Sequence, residues 1–160
     1  MTPRLQIATL LMALALGTGF TARAADDPMD GTWKLNFAKS KIDPGPGPRS
    51  LVNKYQSDNK GNVKVTTDNV SATGESTHRE YTERYDGKEY DANSRGGDTV
   101  TLKRIDSHTI DGFYKRNGKV RAKFRRTVSK DGKTMTTESQ GESPNVKGQP
   151  YHDVRVFDKQ

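Results

Sequence analysis

Short turn sequences recur along the second half of the chain and leave room only for strands between them. They are Asp86-Gly87, Gly96-Gly97, Asp106-Ser107-His108, Asn117-Gly118 and Asp131-Gly132. The runs between these turns are rich in Thr, Val, Ile, Tyr and Phe and alternate apolar with polar residues. Residues 50–57 and 63–70 flank a further turn upstream in the same way. The pattern predicts an all-β fold, an antiparallel up-and-down β-barrel of about eight to ten strands.

The first 24 residues have the form of a secretory signal peptide. Arg4 precedes an apolar run from Ile7 to Leu16, and the small-residue exit Ala22-Arg23-Ala24 follows. We therefore expect residues 1–24 to be removed, residues 25–160 to form a single β-barrel domain, and the protein to be periplasmic or secreted. No later run has the roughly 20 apolar residues of a membrane-spanning helix. The absence of cysteine excludes disulfides and a lipid anchor on cysteine.

The chain after Ala24 is poor in large apolar residues, and this composition makes disorder an alternative. Leu, Ile, Val and Phe together number 20 among those 136 residues. However, the formal net charge of +7 falls to +5 when Arg4 and Arg23 are removed, so positive and negative charges nearly balance. The apolar residues also recur at period two. We expect an ordered β-protein with a thin core and a partly polar interior.

The turns predict which side chains point inward, because residues directly opposite in an antiparallel pair share a face. A two-residue turn at Asn117-Gly118 would set Phe113 opposite Ala122 and Asp111 opposite Phe124. The Asp131-Gly132 turn would set Val128 opposite Met135, Arg126 opposite Thr137 and Arg125 opposite Glu138, the last pair outside. The Ser107-His108 turn would set Leu102 opposite Phe113 and Arg104 opposite Asp111. The predicted inner face therefore contains Arg104, Asp111 and Arg126 on three successive strands.

Two end motifs resemble the calycin barrels, that is, the lipocalins and fatty-acid-binding proteins. "GTWKL", Gly31 to Leu35, is similar to their first strand, in which Gly-x-Trp closes one end of the barrel, and this implies structural roles for Gly31 and Trp33. "VRVFDK", Val154 to Lys159, resembles the closing strand of the fatty-acid-binding branch, whose Arg-x-Tyr points to a bound carboxylate. Arg155 matches that Arg, whereas Phe157 replaces the Tyr. The chain also resembles secreted bacterial proteins that begin "GTWKLN…KSK", which implies no particular activity.

The inward arginines suggest a site for an anion. Two of them, Arg104 and Arg126, against one carboxylate, Asp111, leave one positive charge in excess, and an inward Arg155 would leave two. An anionic ligand group would complete the pairing. The alternative is an ion cluster that is satisfied within the protein. The neighbours of Arg155, Val154 and Val156, leave its direction open.

Tyrosines extend the candidate site, and other classes of site find little support. Tyr81 and Tyr85 share a predicted face with Glu83, Lys88 and Tyr90 across a hairpin at Asp86-Gly87, where their rings would line a small-molecule cavity. The alternative is that these tyrosines are ordinary strand residues. The three histidines lack metal-ligand spacing, and no nucleophile has a base beside it. We therefore expect no enzyme activity, no cofactor and no metal. The alternating cations from Lys119 to Arg125 lack interleaved aromatics, so we expect no nucleic-acid binding.

Two functions remain for such a chain. The first is an exported barrel that binds a small amphiphilic or anionic molecule in its interior, through Arg104, Asp111, Arg126, Arg155, Tyr81 and Tyr85. The second is a cell-envelope interaction or stress-related module whose barrel is filled by its own side chains. The sequence leaves the oligomeric state open.

Overall fold

The computed structural model describes residues 27–58, 60–92, 97–142 and 148–160, so the predicted signal peptide lies outside the described residues. The strands are β1 (Gly31–Leu35), β2 (Ser50–Ser57), β3 (Val63–Val70), β4 (Ser76–Glu83), β5 (Asp86–Asp91), β6 (Thr99–Asp106), β7 (Thr109–Arg116), β8 (Lys119–Val128), β9 (Thr134–Glu142) and β10 (Pro150–Lys159). A 3-10 turn, Phe37–Lys39, follows β1. The predicted all-β fold with antiparallel strands is confirmed.

The ten strands form one curled sheet in the order β4-β3-β2-β1-β10-β9-β8-β7-β6-β5. Strands β4 and β5 are its two edges, and the described residues show no ladder between them. The predicted hairpin at Asp86-Gly87 is therefore wrong. The hairpin does not form because the chain leaves β4 and reaches β6 before this turn. The Tyr85 carbonyl already accepts a hydrogen bond from the Arg104 amide of β6 at 3.1 Å.

The up-and-down order gives the barrel two different ends. At the closed end lie residues 27–30 and the turns that join β2 to β3 and β8 to β9. Trp33 is fully buried there, and its indole nitrogen donates to the Met29 carbonyl at 2.9 Å. Gly31 has φ +127°, and a Cβ in its place would lie 2.6 Å from the Lys159 side chain. The opposite, open end holds the β1–β2, β3–β4 and β7–β8 connections.

A β-bulge changes the predicted facing of β7. Asn117 and Gly118 form the expected tight turn, with φ values of 49° and 72°, and Lys115 lies opposite Val120. The next residue, Tyr114, lies opposite Ala122, so that Arg121 is the extra residue. A one-residue shift turns every later side chain of β7 to the other face. Consequently Ile110, Gly112 and Tyr114 point inward, whereas Asp111 and Phe113 point outward.

A second irregularity, between β6 and β7, compensates for the first. Asp106 lies opposite Thr109, but Arg104 lies opposite Ile110, so that Ile105 is the extra residue. The two shifts cancel, and the inward direction predicted for Leu102 and Arg104 is retained. The β8–β9 register contains no shift and matches the prediction at every pair, including Arg126 opposite Thr137.

The closed half of the barrel is filled by its own side chains. Its core contains Met29, Trp33, Leu35, Tyr55, Val63, Val65, Ile110, Val128, Met135 and Phe157. Apolar burial of this kind is the main stabilising contribution available to a chain without disulfides. On the β5–β6 side the core extends toward the open end through Ala92, Val100 and Leu102.

Candidate ligand-binding interior

Arg126 stands at the centre of the interior, where it is almost completely buried. Its Nη1 lies 3.1 Å from the Glu83 carboxylate, and both side chains are less than a tenth exposed. The guanidinium stacks over the Tyr55 ring at 4.6 Å from the ring centroid. Tyr85 donates its hydroxyl hydrogen to the same Glu83 oxygen at 3.1 Å. The Arg126 Nε has no hydrogen-bond partner.

The electrostatics of this cluster keep the Arg126 guanidinium charged and the phenols of Tyr55 and Tyr85 neutral. Burial alone would lower the pKa of Arg126, but Tyr55 and Glu83 beside it raise that pKa well above its usual value. Burial raises the pKa of Tyr85 well above its usual value, and the Glu83 carboxylate adds to this effect. Burial likewise raises the pKa of Tyr55. Both tyrosines are therefore hydrogen-bond donors or apolar walls at any ordinary pH.

Arg104 points inward, but toward the closed end. It forms a salt bridge with Asp27, and its side chain is 29% exposed. It also donates to the Ser107 carbonyl at 3.2 Å and lies over the Tyr85 ring at 5.1 Å. These contacts anchor the first described residues across the bottom of the barrel. Arg104 thus closes one end and is not positioned in the open half.

Arg155 also faces inward, because it is the Cα partner of Thr137, which in turn is the partner of Arg126. Two strand spacings, roughly 10 Å, separate the two arginines in this row. Arg155 donates to Asp153 at 2.7 Å, and Asp153 also accepts from the Asp43 amide at 3.0 Å. The Arg155 Nε is buried without a hydrogen-bond partner. Both arginines of the row thus retain one unsatisfied donor.

Asp111, predicted to pair with Arg104 and Arg126 inside, lies on the outer face. It accepts two hydrogen bonds from Arg125, each at 2.7 Å. This pairing lowers the pKa of the Asp111 carboxyl. The Arg121 bulge is the reason, since it reverses β7 relative to β8. Asp111 therefore lies outside the barrel interior and is not part of the candidate site.

The predicted charge surplus around the three named arginines is also absent. Each has a carboxylate partner within the protein: Asp27 for Arg104, Glu83 for Arg126 and Asp153 for Arg155. None of these partners was assigned from the sequence. Alternation along β4 and β10 places Glu83 and Asp153 on the inner face, and this signal could have found them. Asp27 precedes the first strand, where no periodicity applies.

Tyr81 and Tyr85 both pack against the core beside the gap between the sheet edges. A cavity of about 260 Å³ fills this gap and is lined by Thr82, Glu83, Arg84, Tyr90, Asp91, Val100 and Leu102. The Arg84 guanidinium lies over the Tyr90 ring, 5.2 Å from the ring centroid. Tyr81 lies on the edge strand β4, and Tyr85 lies in the turn that follows it. Both side chains therefore form part of the interior wall near Glu83.

The open half of the interior is lined by polar side chains that remain partly accessible to solvent. Thr67 donates to Asn53 at 2.9 Å, and Asn69 donates to Thr77 at 3.5 Å. A cleft of about 680 Å³ opens at this end, where the inward Ala122, Gly141 and Tyr151 meet the outward Lys123, Gln140 and His152. Burial and the Asp153 carboxylate raise the pKa of Tyr151.

No protein-family model and no curated protein sequence matches the chain. Among solved structures, the fluorescent protein UnaG superposes with a TM-score of 0.55 at 15% identity, over 82% of this chain and 97% of UnaG. The chain of 160 residues described above therefore has a calycin fold. A point mutant of UnaG gives a TM-score of 0.56 at 14% identity, over 83% of this chain and 96% of that one.

Zebrafish ileal bile acid-binding protein complexed with cholic acid also aligns with this calycin fold, at a TM-score of 0.48 and 11% identity, over 83% and 99% of the two chains. At such identities the likeness concerns the path of the chain only. Within the described parts of the calycin barrel, no group of three or more metal-ligating side chains occurs. Those parts also contain no helix long and apolar enough to cross a membrane.

Proposed function

We propose that this protein is an exported calycin that binds a small anionic or amphiphilic molecule in the open half of its barrel, without catalysing a reaction. The observation that supports this most directly is the row Arg155, Thr137 and Arg126. Both guanidinium groups retain an Nε donor without a partner, and a buried donor of this kind is costly unless something accepts its hydrogen bond. An anionic group placed between the two arginines would supply the acceptor.

A direct test is fluorescence titration with 8-anilinonaphthalene-1-sulfonate, an anionic probe with an apolar body. We expect saturable binding that weakens roughly tenfold in Arg155→Gln, because one charge-assisted hydrogen bond is lost. The matched control is Arg125→Gln, whose side chain faces outward. Equal affinity of the two variants, or no saturable binding by the unsubstituted protein, would contradict an interior anion site.

The second candidate function is supported by a different observation. Arg104, Arg126 and Arg155 each have a carboxylate partner within the chain, and the closed half is filled. These features fit an envelope interaction module that acts through its surface. Absence of any co-purifying small molecule in native mass spectrometry, together with failure of the probe titration, would favour this alternative.

Export is part of the proposal and rests on the sequence alone. The full chain is expressed in a bacterial host, and the periplasmic and cytoplasmic fractions are compared. We expect the periplasmic product to begin at Ala25. Retention of residues 1–24 in a cytoplasmic product would contradict the export assignment while leaving the binding proposal to its own test.

A further inference from the structure

The open half of the interior has two kinds of wall. The inward residues of β2, β3 and β4 in this half include Asn53, Thr67, Asn69 and Thr77, which carry amides and hydroxyls, and the exposed Arg79 opposite Thr67. The inward residues of β9 and β10 are Thr137, Ser139, Tyr151, Asp153 and Arg155. These two walls therefore present hydrogen-bonding groups almost throughout.

The third wall, on β6, β7 and β8, is apolar and aromatic. Tyr114 and Phe124 lie with ring centroids 5.6 Å apart and pack against the core beside Val100 and Leu102. Outside this wall, few aliphatic side chains of the described residues face the open half. Leu51 does so from β2, and Ile42 packs against the core from the β1–β2 connection.

A long alkyl chain would fit this interior poorly. Thr67 with Asn53 and Asn69 with Thr77 already form one hydrogen bond each. Contact with an alkyl chain would still remove water from the remaining donors and acceptors of these side chains without replacing it, and each unsatisfied group is costly. The aliphatic volume that could receive such a chain lies in the closed half, where Trp33, Met135 and Ile110 are fully buried and already fill it.

We infer that the ligand of the proposed site is a compact polyhydroxylated carboxylate of the sugar-acid class, not a fatty acid. The inference rests on the proposed function and specifies its ligand. The carboxylate occupies the space between Arg126 and Arg155. The hydroxyl groups exchange hydrogen bonds with the Thr, Ser and Asn side chains, and an apolar ring face lies against Tyr114 and Phe124.

Thr137 is the residue most sensitive to this ligand class. It lies between the two arginines in the β8–β9–β10 row and is half-buried, so that its hydroxyl stands beside the expected carboxylate position. Its neighbour Thr136 lies opposite Thr127 on the outer face and is also partly buried. Thr137→Val therefore removes a hydroxyl from the inner face, and Thr136→Val removes one from the outer face. In both variants the shape of the side chain is nearly unchanged.

The experiment is isothermal titration calorimetry of the purified protein with glucuronate, galacturonate, cyclohexanecarboxylate, decanoate and glucose. Cyclohexanecarboxylate keeps the six-membered ring and the carboxylate but has no hydroxyls, and glucose has hydroxyls without the carboxylate. We expect at least one of the two sugar acids to bind roughly tenfold more tightly than the other three probes. Thr137→Val should abolish most of that advantage, whereas Thr136→Val should preserve it.

The outcomes separate this inference from the proposed function. Tighter binding of cyclohexanecarboxylate or decanoate than of both sugar acids overturns the ligand class and leaves an anion site in place. Unchanged sugar-acid affinity in Thr137→Val overturns the placement of the ligand carboxylate beside Thr137. If no carboxylate binds, the proposed function itself fails, and the ligand class fails with it.

Discussion

The Arg126 guanidinium and the Glu83 carboxylate lie 3.1 Å apart inside the barrel, although one belongs to β8 and the other to the edge strand β4. The described residues show no ladder between β4 and β5, so this buried pair helps to hold the open edge of the sheet against the opposite wall. Removal of one charge would leave the other buried without compensation. Such a change is expected to cost far more than the loss of an exposed pair.

We therefore predict that Glu83→Gln lowers the free energy of unfolding by about 3 kcal/mol or more, as measured by urea denaturation. The control is Asp111→Asn, which breaks the outward pair with Arg125 in a setting where solvent screens the charges. Its effect should be much smaller. Similar losses in the two variants would mean that the Arg126–Glu83 pair is not buried.

Gly141 of β9 lies directly against the backbone of the Arg121 bulge in β8. A Cβ at this position would lie 2.3 Å from the Arg121 carbonyl oxygen and 2.7 Å from the Ala122 Cα, both backbone atoms that cannot move aside independently. Gly141→Ala should therefore destabilise the protein by about 1 to 3 kcal/mol in thermal or urea unfolding. Gln140→Ala, at the exposed neighbouring position on the outer face of β9, is the control and should have little effect.

The same bulge explains which parts of the interior could be predicted from the sequence. Turn spacing gave the strands, and the regular β8–β9 register gave the inward direction of Arg126 and Met135. The extra residue at Arg121 turns the side chains of β7 to the opposite face, so the predicted inward direction of Asp111 is wrong. A bulge depends on tertiary contacts such as the one at Gly141 and has no short sequence signature, so the sequence does not reveal it. The partner of Arg126, Glu83, lies on a distant strand, and only closure of the sheet brings the two together.

Carboxylates in the turns should control stability in acid. Hydrogen bonds from Asn62 lower the pKa of Asp58, and the His108 amide lowers that of Asp106. The Ser129 hydroxyl lowers the pKa of Asp131. Because these folded-state values lie below the unfolded value, their stabilising contribution is fully present above that value and is lost as the pH falls through the folded-state values.

We predict nearly constant stability from pH 7 to about 5 and a decline below about pH 4, measured by urea unfolding at each pH. The variant Asp58→Asn/Asp106→Asn/Asp131→Asn keeps an acceptor oxygen at each turn but removes the titrating proton. Its stability should fall less steeply in acid. An unchanged acid slope would show that other carboxylates determine it.

The closed end offers a fluorescence reporter, because Trp33 is the only tryptophan in the chain. Its indole donates to the Met29 carbonyl, and the Met29 amide donates to Asp27 at 3.0 Å. Asp27 in turn is held by its salt bridge to Arg104. Asp27→Asn should loosen this segment and admit water to the indole, which shifts the Trp33 emission to longer wavelength and increases its quenching by iodide. Asp158→Asn, which breaks an exposed pair with Lys39 on the outer face, is the control and should leave both signals unchanged. An unaltered Trp33 spectrum in Asp27→Asn would mean that the core closes this end without the salt bridge.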